Sequence, residues 1–401
     1  MARLGDICEK VTDYVASGSF AALKENVLIT NEENYAIMVK TADFANGFTK
    51  GLTYTDKHGY DFLRNSNLFG GELILSNIGS IGKVFKVPRL DRPMTLASNT
   101  VMIKTATPEL TDYLYYYFLS PAGYKNLLSI SSGTSMLKFN KTELKKLDVP
   151  VPAIDEQRRI IAVMDKISGL IALRKEQLAK LDQLVKSRFV EMFGDPVDNP
   201  KSYLVKSLQE LSDMGYITYH LDGNHGGDYP RSEEFVNSGV PYIGANCIVN
   251  GEIDFSMAKH LTQERAGKLR KGIAQNDDVL FAHNATVGPT VVLHTTESKV
   301  ILSTSLTAYR CNKAKLLPNY LKAYMQSEGF IRQYSNEMKQ TTRNQVPITA
   351  QKRYLFLVPP IMEQERFATF VEQTDKIKLT IHQGLDKLEV MKKALMQQYF
   401  G

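Results

Sequence analysis

Three cysteines in 401 residues, Cys8, Cys247 and Cys311, stand far apart with no CxxC pair. That argues against a zinc knuckle or a disulfide framework and suits free thiols in a reducing cytoplasm. No apolar run approaches the length of a membrane span, so no membrane contact is expected. The opening MARLGDICEK has no apolar core of the kind a signal peptide needs. Catalytic signatures are equally scarce. The seven histidines include no HExxH or other ligand-spaced group, so no metal site is expected. No Gly-x-x-x-x-Gly-Lys-Ser/Thr loop appears, and the GSIGK turn at Gly79–Lys83 lacks both its span and the following hydroxyl. The chain therefore reads as non-catalytic, without an ATP motor and without a cofactor of its own.

What is present is ordinary in composition: 43% hydrophobic and 23% charged residues, as in a globular protein. The length exceeds what one core accommodates, so two or more domains are expected. A net charge of +6 suits contact with a polyanion without requiring it.

The dominant feature is a repeat. VPAIDEQRR (Val151–Arg159) returns as VPPIMEQER (Val358–Arg366), 207 positions later. The same offset continues to the end of each copy, where Phe193-Gly194 matches Phe400-Gly401. Each copy opens on Val-Pro with carboxylates in the next turn, Asp155 and Glu156 in one, Glu363 and Glu365 in the other. Those are helix-start signals. Mostly apolar residues then recur in alternating steps of four and three: Ile160, Met164, Ile167, Ile171, Arg174, Leu178, Leu181, Val185, Arg188 and Met192. That is a coiled-coil seam. The second copy is weaker, with Thr374, Lys378 and Lys392 on the seam, which leaves the pairing of the helices open. Each helix is expected to run roughly 50–55 Å, and two such helices most simply pack on each other.

The segments ahead of the helices match as well. GELILSNIGSIGKVFKV (Gly71–Val87) resembles DDVLFAHNATVGPTVVL (Asp277–Leu293), a strand, turn and strand in each case. DYLYYYFLS (Asp112–Ser120) resembles NYLKAYMQS (Asn319–Ser327), which reads as helical. Leu4-Gly5-Asp6 aligns at the same offset with Leu211-Ser212-Asp213. The expected fold class is α+β, with two similar mixed α/β domains at 1–150 and, with its linker, 194–357. Two long antiparallel helices at 151–193 and 358–401 separate them in an internal pseudo-two-fold repeat. Two similar domains held apart on a rod make a ruler, and duplex DNA, with a groove repeat of roughly 34 Å, is a polymer such a ruler fits.

The repeated Val-Pro-x-x-x-Glu-Gln signature ahead of a long helix resembles the specificity subunits of type I restriction-modification enzymes. The likeness covers the whole chain and includes the KSRFVEMFGDPVDNP junction (Lys186–Pro200) and the LGDI start (Leu4–Ile7). It implies two target-recognition domains, each reading one half of a bipartite, asymmetric sequence in double-stranded DNA, with the helices fixing the spacer. It also implies docking of modification (methyltransferase) subunits, two of them, and of an ATP-dependent restriction subunit in the cytoplasm. S-adenosylmethionine, ATP and magnesium would sit on those partners. In keeping with this, the Asn/Asp-Pro-Pro-aromatic tetrapeptide of adenine methyltransferases is missing here.

Candidate contact residues follow. The basic pairs Lys145-Lys146 and Lys352-Arg353 precede the Val-Pro motifs at the repeat offset, and suit phosphate contact or equally a solvated face. The polar stretches SSGTSMLKFNK (Ser131–Lys141) and KQTTRNQVP (Lys339–Pro347) occupy matching places. Lys138, Asn140, Lys339, Arg343 and Asn344 in them have base- or phosphate-reading chemistry. A second pair of stretches, Thr49–Tyr60 and Tyr219–Arg231, offers Lys50, Tyr54, Lys57, His225 and Arg231, although an ordinary surface loop explains these as well. Glu156, Gln157, Glu363 and Gln364 read as helix-start or subunit-docking residues rather than catalytic ones. One other reading stays open, a bivalent protein-interaction scaffold with little affinity for DNA. An enzyme with an unrecognised site is disfavoured, because duplicated catalytic domains should share acid, base or metal residues and the repeat aligns mostly apolar, Gly, Pro and helix-start positions.

Overall fold

The computed structural model of the protein describes residues 1–338 and 344–401. Two compact units form, one from residues 1–175 and 383–401, the other from 176–382. Each long helix, α1 (Ile154–Phe193) and α2 (Ile361–Phe400), is therefore shared between them. The helices begin just past Pro152 and Pro360, residues whose missing N–H costs nothing at a helix start. α1 stops at Gly194, which takes a left-handed φ of +79° while its N–H returns to Val190 O at 2.7 Å, a glycine-ended C-terminus.

In the first unit a four-stranded antiparallel sheet runs in the order Cys8–Asp13, Thr100–Thr105, Leu73–Ser76, Val84–Lys86. Alternation of side chains splits its residues between two cores. Leu73, Leu75, Val101 and Ile103 face the helices Pro108–Leu119 and Pro121–Ser129 and the start of α1. Ile74 and Met102 face a second sheet, ordered Tyr54–Thr55, Ala36–Val39, Met94–Leu96, Asn67–Leu68. Burial on both faces is why LILS at Leu73–Ser76 is nearly all apolar. The second sheet contains one parallel pair, Ile37 opposite Met94.

The second unit repeats this plan. Its first sheet is Ile217–Asp222, Leu306–Cys311, Val279–Asn284, Thr286–Val292. Its second sheet again carries a parallel pair, Tyr242 opposite Ile301, and gains one strand, Phe235–Val236. Val279 and Phe281 face the helical core, Leu280 and Ala282 the core between sheets.

Three details differ from the sequence-based alignment. Leu4 donates its N–H to Leu147 O, and Leu208 donates to Tyr354 O. Because Leu147 and Tyr354 are one repeat apart, the partner of Leu4 is Leu208 and not Leu211, and the stretch from Leu208 to Tyr354 is three residues longer than that from Leu4 to Leu147. Tyr219–Asp222 belongs to the first sheet beside Leu306–Cys311, whereas Tyr54–Thr55 edges the second sheet beside Ala36–Val39. The stretches Thr49–Tyr60 and Tyr219–Arg231 are therefore not counterparts. Finally, the buried residues in the last turns of the long helices are Phe189 and Phe193, and Met396 and Phe400, one step beyond the expected seam. A 3.6-residue helix drifts from a 3.5-residue repeat, and these turns face their own domain: Phe193 meets Tyr320 at 4.9 Å and Phe400 meets Tyr113 at 5.5 Å.

Within each unit the helices run antiparallel. In the first, Ile160, Met164, Ile167 and Ile171 share a core with Leu385, Leu388, Leu395, Met396 and Phe400, and Lys175 pairs with Glu389 at 3.0 Å. In the second, Phe189 meets Phe367 at 5.6 Å and Lys378 reaches Asp182 at 2.6 Å. The polar seam residue Lys378 is thus partnered, and Thr374 turns its hydroxyl back to Phe370 O at 2.9 Å.

Candidate functional site

Each unit presents one tip in which a loop is fastened across a turn of the first sheet. In the first unit the loop before the short helix Lys141–Lys146 closes on itself through Ser132 and Lys138, bonded N–H to O at 2.8 and 2.9 Å. It then binds the turn after Leu73–Ser76. Phe139 N–H donates to Asn77 O, the Asn77 amide donates to Phe139 O, both at 3.1 Å, and Gly79 N–H donates to Leu137 O at 2.9 Å. Gly79 accepts this place because its φ is +77°. Residues 132–138 are exposed, Lys138 among them.

The second unit builds the same tip from different residues. Val346 N–H donates to His283 O at 2.8 Å, His283 Nδ1 lies 3.0 Å from Val346 O, and Ala285 N–H donates to Asn344 O at 3.0 Å. His283 stands where Asn77 stands, and Ala285, with φ +66°, where Gly79 stands. Asn344 is exposed at the tip. Lys339 and Arg343 lie outside the described residues.

The other predicted residues divide by place. Asn140 is at the foot of the first loop, where its Oδ1 accepts from the N–H groups of Thr142 and Glu143 at 2.9 Å; it caps the short helix. Lys145 and Lys146 sit about one and a half turns further on, away from the loop, with Lys146 paired to Glu143 at 3.0 Å. Lys352 and Arg353 follow the matching helix Ile348–Gln351 and are exposed. Lys57 pairs with Asp61 at 2.7 Å, His225 with Asp222 at 2.7 Å, and Arg92 stacks over Tyr54. Lys50 and Arg231 are exposed. None of these five belongs to a tip.

The glutamines of the repeated motif are buried. Gln364 accepts Leu317 N–H at 2.9 Å and donates to Pro359 O at 2.8 Å and Lys315 O at 3.2 Å. It thereby ties the start of α2 to the helix Pro318–Met325. Gln157 donates to Pro152 O at 2.8 Å, but its oxygen has no partner, because Thr107 caps the matching helix instead. Glu363 accepts from Tyr203 OH at 2.6 Å, and burial together with this carboxylate pushes the phenol up to about 12. Glu156 pairs with Arg159 at 2.7 Å.

Asn77, His283 and their turns went unassigned in the sequence, although the repeated Ser80-Ile81-Gly82 and Thr286-Val287-Gly288 mark the turns. The second asparagine, Asn284, is one residue past the position of Asn77, which His283 fills. Gln351, buried beneath the second tip, carried no signal at all. Among the described residues no group of three or more His, Cys, Asp or Glu is placed to hold a metal. No helix among them is long and apolar enough to cross a membrane. Burial pushes the Cys8 thiol up to about 12, the reverse of nucleophile activation.

A duplicated α/β body, with a loop-on-turn tip per copy and part of an antiparallel helix pair in each unit, defines a protein built of two similar domains. Residues 1–183 and 207–390 both match the type I restriction modification DNA specificity domain, and the chain belongs to that family. The specificity subunit of the type I restriction enzyme MjaVIII from Methanocaldococcus jannaschii is 19% identical over 330 residues, 81% of this chain and 76% of that protein. The EcoKI specificity subunit of Escherichia coli is 20% identical over 300 residues, 71% of this chain and 64% of that protein. Among solved structures, the type I S subunit from M. genitalium aligns over 100% of this chain and 95% of its own, with TM-score 0.55 and 14% identity. A chain solved for complex assembly of the type I R-M system aligns with TM-score 0.53 and 17% identity, over 100% of this chain and 96% of its own. At these identities the structural likeness bears on the fold.

Proposed function

We propose that this chain reads a bipartite, asymmetric DNA sequence for a type I restriction-modification system, one half-site per unit, with the paired helices setting the gap. The observation that carries the reading is the double tip: the same loop-on-turn construction in both units, faced with different residues. A shared scaffold with divergent exposed positions is what two unlike half-sites require. Lys138 and Asn344 lie on these tips and supply phosphate and base-edge chemistry. Lys145, Lys146, Lys352 and Arg353 lie off them and suit backbone contact, which adds salt-dependent affinity without sequence preference. Lys339 and Arg343 belong to the same segment as Asn344 and are proposed on chemistry alone.

Methylation and cleavage fall to partners: two modification subunits carrying S-adenosylmethionine, and a restriction subunit carrying ATP and magnesium, in the cytoplasm. Glu156, Gln157, Glu363 and Gln364 then serve mainly to set each helix on its domain. The test is co-expression with the cognate modification subunit in a methylation-free host, followed by mapping of N6-methyladenine. A split, asymmetric motif with a fixed gap is expected. A soluble complex that leaves the DNA unmethylated would sink the reading and favour a protein scaffold.

A further inference from the structure

The two units fill one buried position in opposite ways. Beneath the second tip, Gln351 is fully buried and bonded on both ends of its amide. Its oxygen accepts from Tyr309 OH at 2.5 Å and lies 3.1 Å from His220 Nε2. Its nitrogen donates to Thr307 Oγ1 and to Val346 O, each at 3.2 Å. Val346 O is the carbonyl that His283 also holds, and Val346 belongs to the segment that lies across the tip.

The strand registers identify the counterparts. Tyr309 pairs with His220 and Val279 as Ile103 pairs with Val11 and Leu73, and Thr307 pairs with Phe281 as Val101 pairs with Leu75. Gln351 N–H returns to Pro347 O as Leu144 N–H returns to Asn140 O. The first unit therefore has Leu144, Ile103, Val101 and Val11, all buried and apolar, where the second has Gln351, Tyr309, Thr307 and His220.

An apolar set evidently folds this plan, so the polar set is not needed for the fold. Buried polar groups carry a desolvation cost that only complete bonding offsets. What the network adds is a second donor on Val346 O, a bond that Leu144 cannot make to Phe139 O. We infer that Gln351 is a positioning residue for the second tip, fixing residues 344–347 on the turn 283–285 through the Val346 carbonyl. Its consequence for base reading rests on the function proposed above. A bond held by a fully partnered amide is directional, which apolar packing is not, so it sets the height of the segment over the turn. The first tip, without it, is held by the Asn77–Phe139 pair and by Gly79 N–H on Leu137 O.

The experiment is backbone amide exchange on the full-length chain, wild type against Gln351→Leu. The amides of Ala285 and Val346, each bonded across the tip, are expected to exchange about tenfold faster, the protection of roughly one hydrogen bond. Those of Gly79 and Phe139 in the first unit should not change. Should Gln351→Leu fail to fold through its stranded hydroxyls, the fourfold variant His220→Val, Thr307→Val, Tyr309→Ile, Gln351→Leu copies the first unit's set. Unchanged exchange at Ala285 and Val346 in a folded variant would overturn the inference. A DNA arm separates the two readings. Faster exchange with relaxed base preference in one half-site supports both. Faster exchange with methylation specificity unaltered keeps the positioning role and removes the second tip from base reading.

Discussion

Lys378 of α2 reaches Asp182 of α1 at 2.6 Å, in the middle of a seam whose neighbours are Thr374 and Ile381. A lysine on a seam position is the kind of residue that fixes register at some cost in stability. Asp182 is 61% exposed, so solvent screens the pair. A double-mutant cycle with Lys378→Met and Asp182→Asn should give a coupling of about 0.5 kcal/mol. That coupling should fade in about 1 M salt, where the screening length is about 3 Å. A coupling that survives the salt would mean that packing of the lysine stem, not charge, holds this part of the seam.

Gln157 and Gln364 share a sequence context and differ in their bonds, so the same substitution should separate them. Gln364→Leu strands Leu317 N–H, Pro359 O and Lys315 O inside the second unit, a loss of about 3 kcal/mol. Gln157→Leu strands Pro152 O and removes an amide oxygen that already lacks a partner, so its cost should be about 1 kcal/mol or less. Urea unfolding of both variants checks the order. Equal losses would show that the motif's glutamine acts through side-chain volume alone.

The motif, the long helices and the strand–turn–strand segments were legible because each leaves a local pattern: proline with carboxylates, a four-three spacing, and β-rich runs about a glycine turn. The second sheets were not. Ala36–Val39 and Met94–Leu96 pair in parallel across more than fifty residues of chain, and nothing near either strand announces its partner. The tips were half legible. The polar stretches ahead of the helices were visible, but they are fastened to their turns by backbone hydrogen bonds and by the side chains of Asn77 and His283, unlike residues at matched places. The polar network under the second tip was invisible, because Gln351 falls in a short helix whose counterpart residue is leucine.

Ala285 holds the left-handed conformation that Gly79 holds in the first unit. For alanine that conformation costs about 1 kcal/mol, part of which glycine would forfeit through its freer unfolded chain. Ala285→Gly should therefore raise the stability of the second unit by about 0.5 kcal/mol. Gly79→Ala should lower that of the first by about 0.5 kcal/mol, strain less the stiffer unfolded chain, since a Cβ there meets nothing within 4 Å. Chemical unfolding of the two variants reads both signs. A destabilising Ala285→Gly would show that the methyl group packs usefully at the tip.

Two histidines give the stability of the second unit a pH dependence that their counterparts in the first unit cannot supply. Burial depresses His220 to about 4, against the opposing pull of its bond to Gln351, and burial likewise depresses His283. Above about pH 6.5, the ordinary histidine value, both folded and unfolded chains carry neutral imidazoles and neither residue affects folding. As pH falls below that value the unfolded chain binds protons that the folded chain refuses, so stability falls with it. The loss levels off once the pH is below the folded value, having reached about 3 kcal/mol at most for His220. The matching residues of the first unit are Val11 and Asn77, which do not titrate. Unfolding free energy of wild type and His220→Val, measured from pH 7 to 4.5, should diverge as the wild type alone declines through this histidine. If the two curves run parallel, His220 is not the group that titrates, and the decline belongs to His283 or to the carboxylates.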